Sequence, residues 1–297
     1  VHKHVHAGVL NVAFLETGKP HGWPVVLLHG FPYDVHAYDE VAPRLAEKGA
    51  RVIAPYVRGF GPTRFLAAET PRSGQQAALG ADLVALLDAL DIESAVLAGY
   101  DWGGRAACIV AALWPERVRG LVSVDGYNIQ AIAKSAEPDV PENERRYWYQ
   151  YYFHGERGRE GLRRHRQAFC KLLWQLWSPT WTFDDATYQR TAAAFENPDF
   201  VDVVIHSYRH RYALVEGDPA FEPLERRLAA QPRIRVPTVT LDGAADGVVP
   251  AGGTAHHGSH FTGRHERRVL EKVGHNVPQE APGLFSDAVM TAHSWSL

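Results

Sequence analysis

Ala95-Val96-Leu97-Ala98-Gly99-Tyr100-Asp101-Trp102-Gly103-Gly104 is the stretch from which the rest of this chain is read. Its first four residues form a short apolar strand run, and the text from Trp102 to Trp114 is helical in composition and stopped by Pro115. Gly99, Gly103 and Gly104 free the backbone for a sharp strand-turn-helix elbow, which lifts the residue at its apex above a sheet. That residue is Asp101. A carboxylate attacking an acyl carbon would make only a labile anhydride, whereas on saturated carbon it makes a stable alkyl ester. The expected substrate is therefore a small molecule with a leaving group on sp3 carbon. The helix N-terminus beneath Asp101 favours its ionised form by about 0.3 to 1 kcal/mol. The plainer alternative, a glycine turn capped by an aspartate, has to be weighed against what surrounds the elbow.

Outward from the elbow, β-branched runs alternate with helix-period segments, the pattern of parallel strands joined by crossover helices. The predicted strands are Val9 to Glu16, Val25 to His29, Arg51 to Pro55, Ala95 to Ala98, Leu121 to Asp125, Thr238 to Asp242 and Arg267 to Val273. Helices are predicted at His36 to Lys48, Gly74 to Leu90, Trp102 to Trp114 and Pro282 to His293. From Tyr127 to Arg235 the alternation gives way to charged, aromatic-rich helical text. The fold class is α/β, a mostly parallel, doubly wound sheet with an inserted helical cap. The core spans 1–126 and 236–297, and the cap spans 127–235. No repeat or low-complexity tract interrupts this plan.

Two further turns carry chemistry. His29-Gly30-Phe31-Pro32 follows a strand, so the Phe31 amide can join the Trp102 amide in an oxyanion hole, with His29 facing the substrate. Gly274-His275-Asn276-Val277-Pro278-Gln279-Glu280 precedes the last helix, and Gly243-Ala244-Ala245-Asp246-Gly247 follows another strand. His275 would take a proton from water, with Asp246 orienting the imidazole. Asp125 and Asp242, also at strand ends, are rivals for the acid.

With these turns the chain resembles the epoxide hydrolase and haloalkane or haloacetate dehalogenase branch of the α/β-hydrolases, over essentially its whole length, and most closely the epoxide hydrolases. The Asp101-Trp102-Gly103-Gly104 elbow is specific to that branch. Tyr149-Gln150-Tyr151-Tyr152-Phe153 and Ser207-Tyr208-Arg209 resemble its two lid-tyrosine motifs. The resemblance implies that Tyr149 and Tyr208 donate to an epoxide oxygen, with Trp148 and Gln150 near the substrate. Tyr147, Tyr151, Tyr152 and Tyr212 lie close enough in sequence to compete for those roles, and the aromatic segment could equally pack the cap.

A hydrolytic dehalogenase is the rival reading, with Trp102 and one of Trp148, Trp174, Trp177 or Trp181 as halide-binding indoles. Phe31 stands where one group of haloalkane dehalogenases has asparagine. Haloacetate enzymes resemble the chain at Asp101 and Arg105 but have arginine at the Trp102 position, so one of two carboxylate-binding arginines is missing. A non-catalytic receptor on the same fold is a third reading, disfavoured by the intact nucleophile, acid and base.

The 297 residues are 45% hydrophobic and 22% charged, ordinary for a globular protein. A net charge of -3 offers no footprint for nucleic acid or an anionic membrane. No apolar run is long enough to span a bilayer, and the polar, His-rich start is unlike a signal peptide, so a cytoplasmic location is expected. A homodimer is compatible with these figures. Cys108 and Cys170 read as reduced and structural. His256, His257 and His260 lack the spacing of a metal face, and no metal or organic cofactor is implied. His2, His4 and His6 alternate on an expected first strand and would line one solvent face, and Arg157 to Arg166 reads as a solvated helix face.

Overall fold

The computed structural model describes residues 2–296. Its sheet is built from β1 (Lys3–Ala7), β2 (Leu10–Gly18), β3 (Trp23–Leu28), β4 (Ala50–Pro55), β5 (Arg64–Phe65), β6 (Ala95–Gly99), β7 (Val118–Val124), β8 (Thr238–Gly243) and β9 (His265–Leu270). The order is β1-β2-β4-β3-β6-β7-β8-β9, with the short β5 pairing on β2. β1, β2 and β4 pair antiparallel, and every pairing from β4 through β3 to β9 is parallel. The parallel sheet explains the unbroken apolar text of β6, whose five residues are all buried. Crossover helices cover both faces, leaving no solvent side for alternate polar residues.

The chain starts with a hairpin. Its first strand carries His4 and His6, as their alternation predicts, and joins at Gly8, with φ +57°, the strand predicted at Val9 to Glu16. The expected helix from His36 to Lys48 is divided into a 3-10 turn at Val35–Tyr38 and a helix at Val41–Glu47, because Asp34 caps a separate first turn by accepting from the His36 amide. The last strand lies earlier than predicted and ends at Leu270, after which Lys272 takes φ +60° and turns the chain toward His275.

The named elements between β7 and β8 are all helical, joined by loops, the long one being Glu156–Trp177. Its inner face buries Leu162, Cys170, Leu173, Trp174 and Trp177. Polar ties fasten this region to loops at the sheet's C-terminal edge. The Trp174 indole donates to Pro32 O (2.8 Å), Thr191 Oγ1 to Asp34 Oδ1 (2.9 Å), and Arg72 pairs with Asp199 (2.9 Å). Both cysteines are buried and free.

Candidate active site

The elbow forms where β6 runs into the helix Asp101–Leu113. Tyr100 is extended and Asp101 takes φ +51°, a conformation a non-glycine residue adopts only when its surroundings enforce it. The enforcement is steric. A Cβ on Gly103 would lie 2.0 Å from Leu28 O, and one on Gly30 would lie 2.2 Å from Asp101 Oδ1. Only glycines allow the two turns to approach this closely. Asp101 Oδ1 then accepts from the amides of Phe31 (2.8 Å) and Trp102 (2.7 Å), while Oδ2 lies 3.6 Å from His275 Nε2. Burial pushes the Asp101 carboxyl up, but His275, the Arg105 charge and the Trp102 amide outweigh it and hold the pKa below the usual range.

His275 follows β9 in a loop pinned on both sides. Its amide donates to Trp177 O (3.1 Å), and Glu280 accepts from the amides of Gly274 (2.7 Å) and Asn276 (3.0 Å). Ser178 also donates to Glu280, so the cap helix end and the histidine loop share one anchor. Imidazole Nδ1 sits 2.7 Å from Asp246 Oδ2, and Asp246 Oδ1 is fixed by the amides of Val248 (2.7 Å) and Val249 (2.8 Å). Asp242 turns away to Thr254 (2.7 Å) and Arg267 (2.6 Å). Asp125 does approach, its Oδ2 3.5 Å from His275 Nδ1. Burial, then the neighbouring Asp246 charge, pushes the Asp125 carboxyl well above its ordinary value. Burial lowers His275, but Asp246, Asp101 and Asp125 more than offset this and raise it well above an ordinary imidazole.

Two residues expected at the substrate are engaged elsewhere. His29 is fully buried, with Nε2 accepting from the Val57 amide (3.2 Å) and Nδ1 facing Gly30 O (3.1 Å). Both ring nitrogens serve the main chain, and burial lowers its pKa to about 4, so His29 is a neutral brace for the Phe31 turn. The Trp148 ring packs against Phe169 (centroids 5.6 Å) and Tyr152 (6.3 Å) inside the cap. Trp177 is the cap indole facing the site, 5.2 Å from the His275 ring and 5.0 Å from that of Tyr149.

Tyr149 and Tyr208 meet edge to face with centroids 5.3 Å apart, and Tyr208 stands 5.6 Å from Phe31 and 6.1 Å from Trp102. Gln150 Nε2 donates to Tyr149 Oη (2.9 Å), and Tyr212 donates to Gln150 Oε1 (3.1 Å). Tyr149 thus accepts from its neighbour and keeps its own proton for another acceptor. The Tyr208 hydroxyl is buried without a partner among the described residues. Burial pushes both phenols up, so both are protonated at neutral pH. Tyr151, by contrast, donates to Glu144 on the surface.

Sequence reading missed Arg211, whose guanidinium carbon lies 4.2 Å from the Tyr208 ring centroid. Its place three residues after Tyr208 at the end of the helix Phe200–His210 was the available signal. Glu280 and Ser178 were missed as well, since their contact spans 102 positions.

Elsewhere, His257 accepts from the Tyr127 amide (3.1 Å) and Tyr127 stacks on His260 (3.9 Å), contacts that pack a loop. Among the described residues, the potential metal-ligand group is Asp125, Asp246 and His275, already joined by the hydrogen bond above. No helix there is long and apolar enough to cross a membrane.

Residues 24–282 match the family profile of the alpha/beta hydrolase fold. The crystal structure of a candidate epoxide hydrolase from Klebsiella pneumoniae is 49% identical, covers 99% of this chain and 97% of its own, and superposes with a TM-score of 0.96. Epoxide hydrolase A of Mycobacterium tuberculosis is 25% identical over 95% of this chain and 93% of its own length. Epoxide hydrolase 2 of Siraitia grosvenorii is 35% identical over 41% of this chain, a match spanning 38% of that relative's length. The chain belongs to the alpha/beta hydrolase fold family and is epoxide hydrolase-like within it.

Proposed function

We propose that this chain is an epoxide hydrolase converting a small epoxide into a vicinal diol through an ester on Asp101. The observation that carries the reading is the division of labour within one carboxylate. Oδ1 is held by the Phe31 and Trp102 amides, and Oδ2 is left to attack, beneath two protonated phenols. Oδ2 bonds to a ring carbon, the C–O bond breaks, and the departing oxygen takes a proton from Tyr149 or Tyr208. An alkoxide is a strong base and needs that proton, whereas halide needs only hydrogen-bond donors. The paired phenols therefore favour an epoxide over a haloalkane.

In the second half, His275 accepts a proton from water, which attacks the Asp101 carbonyl carbon. Negative charge develops on Oδ1, already within reach of both amides, where such donors are worth about 3 kcal/mol each. Collapse frees the diol with the original Oδ2. Asp246 orients His275 and stabilises its charge. The mechanism needs no metal or organic cofactor. The segment 127–235 acts as the lid that brings the phenols over a core formed by 1–126 and 236–297. The names of the relatives in K. pneumoniae and M. tuberculosis support the same chemistry.

The test is to incubate purified protein with aryl and alkyl epoxides, haloalkanes and haloacetate, following diol and halide together. Diol without halide is expected. Halide release without diol would move Asp101 to dehalogenation, and neither, with ligand still bound, would indicate a receptor.

A further inference from the structure

Trp177 closes the cap helix Glu156–Trp177, at the end where a helix leaves its last carbonyls without donors of its own. The core supplies them, for Trp177 O accepts from the Gly247 amide (2.9 Å) and from the His275 amide (3.1 Å). Gly247 follows the acid Asp246, so one cap oxygen bridges the loops of the acid and the base. The approach is close: a Cβ on Gly247 would lie 1.9 Å from Leu176 O. Arg146 of the cap also donates to Gly247 O (3.0 Å). The next cap residue, Ser178, is buried, and its hydroxyl donates to Glu280 while accepting from the Asn276 amide (3.3 Å). Glu280 spends both oxygens on the residues flanking the base, Oε2 on the Gly274 amide (2.7 Å) and Oε1 on the Asn276 amide (3.0 Å). Among the described residues, its side-chain hydrogen bonds go to Ser178 and the His275 loop alone.

We propose that Glu280 and Ser178 are positioning residues for hydrolysis of the Asp101 ester, so that the cap serves the second half-reaction through this helix end as it serves the first through its phenols. The inference rests on the ester reading of the same site. In that step His275 Nε2 takes a proton from the water whose oxygen attacks the Asp101 carbonyl carbon, and the main chain from Gly274 to Asn276 aims the ring. A carboxylate accepts at both oxygens. A glutamine in its place has to turn its NH2 toward the Gly274 or the Asn276 amide, setting donor against donor and opening the loop. Displacing a reacting group by about 1 Å can cost on the order of 100-fold in rate. Ester formation makes no such demand on the loop, because Asp101 is held by the Phe31 and Trp102 amides and the proton comes from a phenol.

The test is rapid-quench kinetics of the whole chain with an aryl epoxide such as styrene oxide, following ester on the Asp101 peptide by mass and diol in solution. Glu280→Gln and Ser178→Ala are expected to form ester within about threefold of the wild-type rate. They should hydrolyse it more slowly, by about 10 to 100-fold and about 3 to 10-fold respectively, so that ester accumulates as kcat falls. Because both side chains act through one contact, the double variant should hydrolyse ester no more slowly than Glu280→Gln alone. A merely structural role would lower thermal stability and slow both half-reactions alike, and that result overturns the proposal. Where Glu280→Gln does not fold, Ser178→Ala decides alone, and ester hydrolysis at the wild-type rate overturns the proposal. Wild-type protein that makes diol with no ester on Asp101 would instead remove the ester reading on which the proposal rests.

Discussion

Nε2 of His275 stands 3.6 Å from Oδ2 of Asp101, so the base of the second half-reaction rests against the nucleophile of the first. The ionised aspartate is among the charges that raise the imidazole. Esterification removes that charge, so His275 loses its proton more readily once there is an ester to hydrolyse. Asp101 has its pKa lowered, so attack survives acidification that protonates His275. At about pH 5, compared with about pH 8, rapid-quench experiments should therefore show ester accumulating as a burst. A burst that shrinks with falling pH would contradict this order of titration.

Asp246 and Asp125 both face Nδ1 of His275, at 2.7 and 3.5 Å. Asp246→Asn should lower kcat by about 10³ to 10⁴, as loss of the orienting acid does in related triads. Burial and the Asp246 charge push the Asp125 carboxyl up, so it ionises more easily once the Asp246 charge is gone. The Asp246→Asn/Asp125→Asn double variant should then fall below Asp246→Asn alone, by roughly tenfold, while Asp125→Asn alone loses much less. Additive losses in steady-state kinetics would remove Asp125 from the account.

The two phenols differ in their support. Tyr149 is oriented by Gln150, whereas the Tyr208 hydroxyl has no partner among the described residues. Tyr149→Phe and Tyr208→Phe should each slow alkylation by roughly 10 to 10³-fold, and the double variant should be nearly inactive on epoxides. Stopped-flow rates of ester formation separate this from a packing defect, which would also lower thermal stability.

Asp34 ties the core to the cap through Thr191, and burial pushes its pKa up to about 7 from 3.8. The folded state holds this proton more tightly than the unfolded state. The contribution is complete below about pH 4 and is lost as pH rises to about 7, by up to roughly 4 kcal/mol. Asp34→Asn keeps the acceptor for His36 and Thr191 while removing the titration. Urea unfolding should find the variant more stable than wild type at about pH 8, with a shallower decline between about pH 4 and 7. An unchanged pH slope would contradict this.

What the sequence made legible was local. The elbow, the Phe31 turn and the His275 loop each announce themselves within a few residues, because glycine and strand boundaries constrain the backbone there. Choices that depend on side-chain direction were not legible. Asp246 and Asp125 follow strands and Asp242 lies at the end of one, and it is side-chain direction, Asp246 toward His275 and Asp242 toward Arg267, that separates the first and the last. His29 reads as a ligand until its nitrogens are found bonded to the main chain, one of them 28 residues away. Trp148 adjoins Tyr149 but packs into the cap, whereas Trp177 faces the site. Arg211 was hidden because charged text in a cap helix ordinarily means a solvated face.

The most direct test is a single turnover with enzyme in excess, run in ¹⁸O-water. Attack by Asp101 followed by hydrolysis at its carbonyl carbon leaves the solvent oxygen in the side chain, so the peptide containing Asp101 should gain about 2 Da while the first diol carries no label. A labelled diol with an unlabelled Asp101 would mean that water attacks the epoxide directly, and the ester mechanism would fall.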